Sequence, residues 1–204
     1  MNALKIPSLE QARSLLDEAG ALNPGPWTTH SLFVAQAARA IAEPHPQMDA
    51  EAAYILGLLH DIGRRAGVTG MVHAVDGYTY LEPLGYTDAA RICMTHSYPI
   101  PNALAGAAPW DGTAEQLAFV QSYLDTNSYT PYDHLIQLCD SLALPTGFCL
   151  MEKRLVDVAL RYGFNEHTLN KWRAFFEIKT DLERAIGRSV YDLLPGVVAT
   201  TFDR

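Results

Sequence analysis

The sequence predicts an all-α fold, and three observations predict it. Apolar residues recur at the three- and four-residue spacing that places them on one face of a helix. No segment sustains the period-two alternation of a half-buried strand. Several apolar runs are opened by a Ser, Thr or Asp cap and closed by Gly or Pro, the start and stop signals of helices.

Each element follows in order. Ser8-Leu-Glu-Gln11 forms a capping box, and Leu9, Ala12, Leu15, Leu16 and Ala19 follow at helical spacing as far as Gly20. Asn23-Pro-Gly-Pro26 is a loop. A second helix runs from Trp27 to about Ala42, with Phe33, Val34, Ala37, Ala38 and Ile41 on one face, and ends at the Pro44/Pro46 pair. A third starts at the cap Asp49 and runs through Ala53, Leu56 and Leu59 to about Ile62, where Gly63 or Gly67 closes it. A short helix occupies about 73–84, and Thr87 caps another that reaches His96. Pro99, Pro101 and Gly106 mark a long loop, of the length seen in active-site lids and entry walls. Thr113-Ala-Glu-Gln116 caps a helix to Thr126. Thr130-Pro-Tyr-Asp133 supplies a cap, a proline at the first helical position and an acidic third residue. That helix stops before Pro145. Two more occupy about 150–162 and 166–187, the second with Leu169, Trp172, Phe176, Leu182 and Ile186 as its core stripe.

The whole of 1–204 reads as a single domain, with a core over about 27–145 and a helical C-terminal extension over about 150–190. Hydrophobic residues make up 49% and charged residues 19%, enough apolar material for a core and too much for a disordered chain. Fifteen basic side chains face twenty-three acidic ones, a formal charge of −8. That balance argues against a nucleic-acid polymer as partner and against an anionic membrane surface. The three cysteines, Cys93, Cys139 and Cys149, are widely spaced and lack a CxxC pair, so they read as small buried hydrophobes. No signal-peptide or membrane-spanning run is visible, and a cytoplasmic location is the expectation. The aromatic-rich last helix (Trp172, Phe175, Phe176) can pack on the core or on a second subunit, which leaves a homo-oligomer open.

Chemistry concentrates in Gly57-Leu-Leu-His-Asp-Ile-Gly-Arg64. Three of the seven histidines, His45, His134 and His167, read as structural or surface residues. His60 and Asp61 end an apolar run, and a buried Asp needs neutralising. A divalent cation does so, and imidazole with carboxylate suits Fe, Mn, Zn, Co or Mg to different degrees. For an isolated dipeptide the alternative is an ion pair of Asp61 with Arg64 or Arg65 beside a core histidine. The pair is not isolated. His30 lies on the apolar face of the preceding helix, and Asp140 sits between Ile136 and Leu144 with no Lys or Arg within one turn. His, His-Asp and Asp on three apolar faces can converge on one ion.

The pattern His30…His60-Asp61…Asp140, with His60-Asp61-Ile62-Gly63 matching the HDIG variant, resembles the HD-domain superfamily of metal-dependent phosphohydrolases. The resemblance spans about residues 27–145. It implies an HD-like helical bundle and, with His73 and His96 as second-metal ligands, the set His30, His60, Asp61, His73, His96 and Asp140. Asp61 is then the bridge. His73 follows Asp61 closely for such a set, so one metal and two both stay open. By the same resemblance, a metal-activated water cleaves the phosphate ester of a nucleotide or other small molecule. Arg64 contacts phosphate or orients Asp61, with Arg65 a weaker candidate, and Ser97, Tyr98 and the loop through residue 110 line the entrance. HD-type di-iron oxygenases share the ligand set, and a non-catalytic metal- or ligand-binding module is the third reading.

Overall fold

Helix forms along the chain nearly everywhere the apolar spacing occurs. The computed structural model describes residues 3–202. The first five helices are α1 (Leu9–Leu22), α2 (Trp27–Ala42), α3 (Ala50–Leu59), α4 (His73–Leu81) and α5 (Thr87–Thr95). They are followed by α6 (Ala114–Thr126), α7 (Pro131–Ser141), α8 (Met151–Tyr162), α9 (Thr168–Ile186) and α10 (Val197–Thr201). Short 3₁₀ turns lie at 62–66, 82–84, 103–105 and 190–193. No helix among the described residues is long and apolar enough to cross a membrane.

The caps behave as their chemistry requires. Ser8, Thr113 and Thr130 each complete a reciprocal capping box, and the Asp49 carboxylate accepts from the Ala52 N–H. Four expectations are corrected. The residue preceding α5 is Tyr86, and Thr87 is already helical. Helix α3 ends at Leu59 rather than near Ile62, because Asp61 leaves helical geometry (φ −104°, ψ 13°) and the chain tightens into the 62–66 turn. A two-residue antiparallel ladder pairs β1 (Ala143–Leu144) with β2 (Gly147–Phe148), too short to show an alternation. On α9 the buried positions are Thr168, Ile178 and Leu182, with Trp172, Phe175 and Ile186 partly buried. Leu169 and Phe176 face outward, because this helix meets the core through Ile178 and Leu182 and turns Trp172 and Phe175, not these two, to a cavity.

Two apolar clusters organise the helices. The larger is built mainly from α1, α2, α3, α5 and α7, closed below by the ladder, the 190–193 turn and the ends of α8, α9 and α10. The smaller joins Met71, Val75, Met94, Tyr98, Val120 and Leu124 under α6. All three cysteines are buried and unpaired.

Glycine permits two close backbone approaches. A Cβ on Gly57 would lie 2.6 Å from Ala35 Cα, so α2 and α3 meet backbone to backbone there. A Cβ on Gly63 would lie 1.9 Å from the His73 carbonyl oxygen, so the 62–66 turn presses on the start of α4. A buried polar clamp joins α5 to α7. Fully buried Asp133 accepts two hydrogen bonds from Arg91 Nε (3.1 and 2.9 Å) and one from Thr95 Oγ1 (2.6 Å). Gln137 Nε2 donates to the carbonyls of Thr95 (3.0 Å) and Tyr98 (3.1 Å).

Overpacking of this kind costs about 1–3 kcal/mol. Gly57→Ala is therefore expected to lower Tm by about 2–12 °C in thermal unfolding, given about 2–4 °C per kcal/mol at this size. An unchanged Tm would contradict the backbone contact between α2 and α3.

Candidate metal centre

Five elements bring six side chains to one place. His30 comes from the first turn of α2, and His60 and Asp61 from the break after α3. His73 opens α4, His96 follows the last residue of α5, and Asp140 lies near the end of α7. His30, His60, Asp61, His73 and His96 are all at most 6% exposed, and Asp140 is partly exposed. Each of these residues thus sits at a helix end, or within a turn or two of one, where an apolar bundle opens to a cavity.

Three of the histidines are aimed by their own backbone. The Nδ1–H of His60 donates to the Gly57 carbonyl (2.8 Å), and that of His96 to the carbonyls of Ile92 and Cys93 (3.1 and 3.0 Å). The Nδ1–H of His73 donates to the Gly70 carbonyl. With Nδ1 carrying the proton, Nε2 of each ring presents a lone pair, the arrangement of metal-ligating histidines.

Those lone pairs meet each other and the carboxylates. His73 Nε2 lies 3.1 Å from Asp61 Oδ1 and 3.2 Å from His96 Nε2. His96 Nε2 lies 3.6 Å from Asp61 Oδ1. His60 Nε2 is 3.8 Å from Asp61 Oδ2 and 4.0 Å from Asp140 Oδ1, which is 2.9 Å from His30 Nε2. Three overlapping triads result: His30/His60/Asp61, Asp61/His73/His96 and His60/His96/Asp140, with one donor atom per residue and all within 4.8 Å. Asp61 is common to the first two. The buried atoms His60 Nε2 and Asp61 Oδ1 have no hydrogen-bond partner. Acceptors packed together without donors are expensive, and a cation removes the expense. The residues present therefore fit a divalent metal, and four imidazoles with two carboxylates favour a first-row transition ion over Mg²⁺.

Electrostatics agree with that assignment. Burial pushes His60 down to about 4 against the field of Asp61, and burial also lowers His73, so both rings are neutral at pH 7. Burial opposes charge on Asp61, but Arg64, His60 and His73 hold its carboxyl well below the usual range. Asp140 is likewise held low against burial, chiefly by its hydrogen bond from His30. His96 is raised, because Asp61 outweighs its burial.

Arg64 Nε donates to Asp61 Oδ2 at 2.6 Å, and a second guanidinium nitrogen reaches the Thr69 carbonyl at 3.2 Å. It orients Asp61 while remaining on the cavity wall. Arg65 instead stacks 4.0 Å above the Tyr80 ring, so its charge is spent on packing. Ser97 lines the cavity, as expected. Tyr98 does not: its ring is fully buried in the smaller apolar cluster, because the turn after α5 directs it inward beneath α6.

Two adjoining cavities, of about 420 and 440 Å³, open from this centre. The first is lined by the six candidate ligands except His60, and by Arg64, Arg154 and Arg161. Arg154 and Arg161 were not anticipated from the sequence. Their signal is the spacing on α8, where Arg154, Val158, Arg161 and Tyr162 occupy one helix face at i, i+4, i+7 and i+8. Asp111 is a second omission. Its carboxylate accepts from the N–H groups of Gly70 and Val72 and so fixes the loop whose carbonyl aims His73. Its distance from any motif left no sign of that role.

A family model described as HD domain matches residues 27–144, over half of the chain. No curated protein and no solved structure matches the chain.

Histidines in the unfolded chain titrate near 6.5, and His60 in the folded state near 4. Between these values the unfolded chain binds more protons, so stability falls as pH drops through this window and levels off below it. The loss from His60 alone is of the order of 3 kcal/mol, and His73 adds to it. His96, raised, changes its contribution only above 6.5. Chelator-treated protein should therefore lose Tm progressively from pH 6.5 to 4. A flat Tm across that window would contradict neutral buried imidazoles.

Proposed function

The chain belongs to the HD domain family, and on that premise we propose that it is a metal-dependent phosphohydrolase acting on a small phosphate ester. One observation carries the reading: three Nε2 lone pairs and the Asp61 carboxylate face one another in a buried site, with every competing Nδ1 proton committed to backbone carbonyls.

In this reading His30, His60, Asp61 and Asp140 hold one divalent ion, and Asp61, His73 and His96 hold a second. Bound there, divalent metal supplies a water of near-neutral pKa and a positive charge against a phosphoryl oxygen. The chain's own residues do the rest. Asp61 serves both triads because its two oxygens face different histidines. Arg64 fixes the rotation of that carboxylate. Arg154 and Arg161 place positive charge on the cavity wall, where an otherwise acidic protein needs it to attract an anion. The carbonyls of Gly57, Gly70, Ile92 and Cys93 keep the imidazoles in one tautomer.

Elemental analysis of the purified protein should find a divalent transition metal, and Asp61→Ala should lose both metal and turnover. Full occupancy and activity in that variant would sink the assignment. His73→Ala should retain about half the metal of the parent if both triads are filled, and an unchanged ratio would remove His73 from the ligand set. A panel of nucleotides and small esters with Mn²⁺ or Co²⁺ should release phosphate. Bound iron with substrate-dependent oxygen uptake and no phosphate release would replace hydrolysis by oxygenase chemistry.

A further inference from the structure

The second cavity lies beside the metal centre, and about half of its lining comes from residues beyond 144, outside the matched family region. It fills the space between α8, α9 and the loop after α5. Its walls include Leu104, Trp110, Leu155, Ala159, Trp172 and Phe175. At about 440 Å³ it has the size of a small-molecule site.

Two features tie it to the chemistry. His96, Asp140 and Arg154 line both cavities, so the two adjoin at the candidate ligands. Arg154 stands at that junction, close enough to be among the charges that lower the Asp140 carboxyl. An anion held between the centre and Arg154 would project whatever it carries into the second cavity.

Some polar groups on the wall are already used, while Ser97, Tyr162, Glu166 and His167 also line it. Lys171 Nζ donates to the Gly106 carbonyl at 2.6 Å, and Ser141 Oγ to the Leu138 carbonyl at 2.7 Å. Asn165 and Thr168 bond each other across the turn that starts α9. The larger share of the wall is apolar, and two indoles and a phenyl ring offer flat surface on it.

We propose that this cavity receives the organic group of the substrate and that the group is apolar and aromatic-sized, with Arg154 anchoring the phosphate at its mouth. The assignment rests on the phosphohydrolase reading for the phosphate end. The apolar end rests on the cavity alone.

The test uses the metal-loaded full chain and two non-hydrolysable probes, phenylphosphonate and methylphosphonate, with binding followed by calorimetry. Phenylphosphonate should bind at least ten-fold more tightly. Ala159→Phe, which fills the cavity without touching a candidate ligand, should reduce that preference at least ten-fold, with metal content as the control for folding. Arg154→Ala should weaken both probes. Equal affinity for the two probes, or a preference that survives Ala159→Phe, overturns the proposal. Hydrolysis of phenyl phosphate and methyl phosphate is measured separately. Tight, Ala159-dependent phenylphosphonate binding without hydrolysis of either ester upholds the cavity and overturns the phosphohydrolase reading. Hydrolysis of both esters with equal kcat/KM and equal probe affinity does the reverse.

Discussion

A carboxylate that is almost wholly removed from water governs this structure. Asp61 sits at the end of an apolar helix, 4% exposed, with imidazole nitrogens on one oxygen and a guanidinium on the other. Leaving such a charge uncompensated would cost several kcal/mol. The surrounding architecture spreads that compensation over four elements. The 62–66 turn places Arg64 against it, α4 and α5 deliver His73 and His96, and the break after α3 supplies His60. The glycines at 57 and 63 belong to the same requirement, since any side chain there would hold the contributing backbones apart.

Positioning extends one layer further out. The capping box of α7 does two jobs, because Asp133 both closes the first turn and receives Arg91 and Thr95 from α5. His96 follows Thr95 directly, and Asp140 lies two turns along α7 from Asp133. The clamp therefore sets the distance between two helices that each carry a candidate ligand. Gln137 repeats the device one turn on. These bonds are buried or part-buried, and those to Asp133 are charge-assisted, the kind that fixes a geometry even where its net contribution to stability is small.

Much of this was legible in the sequence, and what was not has definite physical reasons. Helix positions followed from apolar spacing, and three capping boxes followed from local chemistry, because both depend on residues within a turn of each other. His30, His60, Asp61 and Asp140 stood out because His and Asp on apolar faces are costly without a partner, whereas His73 and His96 entered only through the family resemblance. Tyr98 was misplaced because a polar-tipped ring next to a site residue gives no sign of which way the backbone turns. The outward turn of Leu169 and Phe176 was missed because apolar spacing along a helix does not say which apolar face meets the core. Asp111 acts across 41 residues and Arg154 from a helix outside the core motif, where sequence distance carries no information.

The tie between Lys171 and the Gly106 carbonyl links α9 to the loop after α5 at the outer edge of the second cavity. The helices α5 and α7 beneath it are held by the clamp of Asp133 and Gln137. One side is thus tied by a single part-buried bond and the other by a buried network. Thermal opening will select the weaker side, and the helices that carry His96 and Asp140 will stay still while it does. Exchange of a bound molecule and retention of a metal are then separate kinetic events in one small protein, with traffic through the C-terminal helices and permanence in the bundle beneath them.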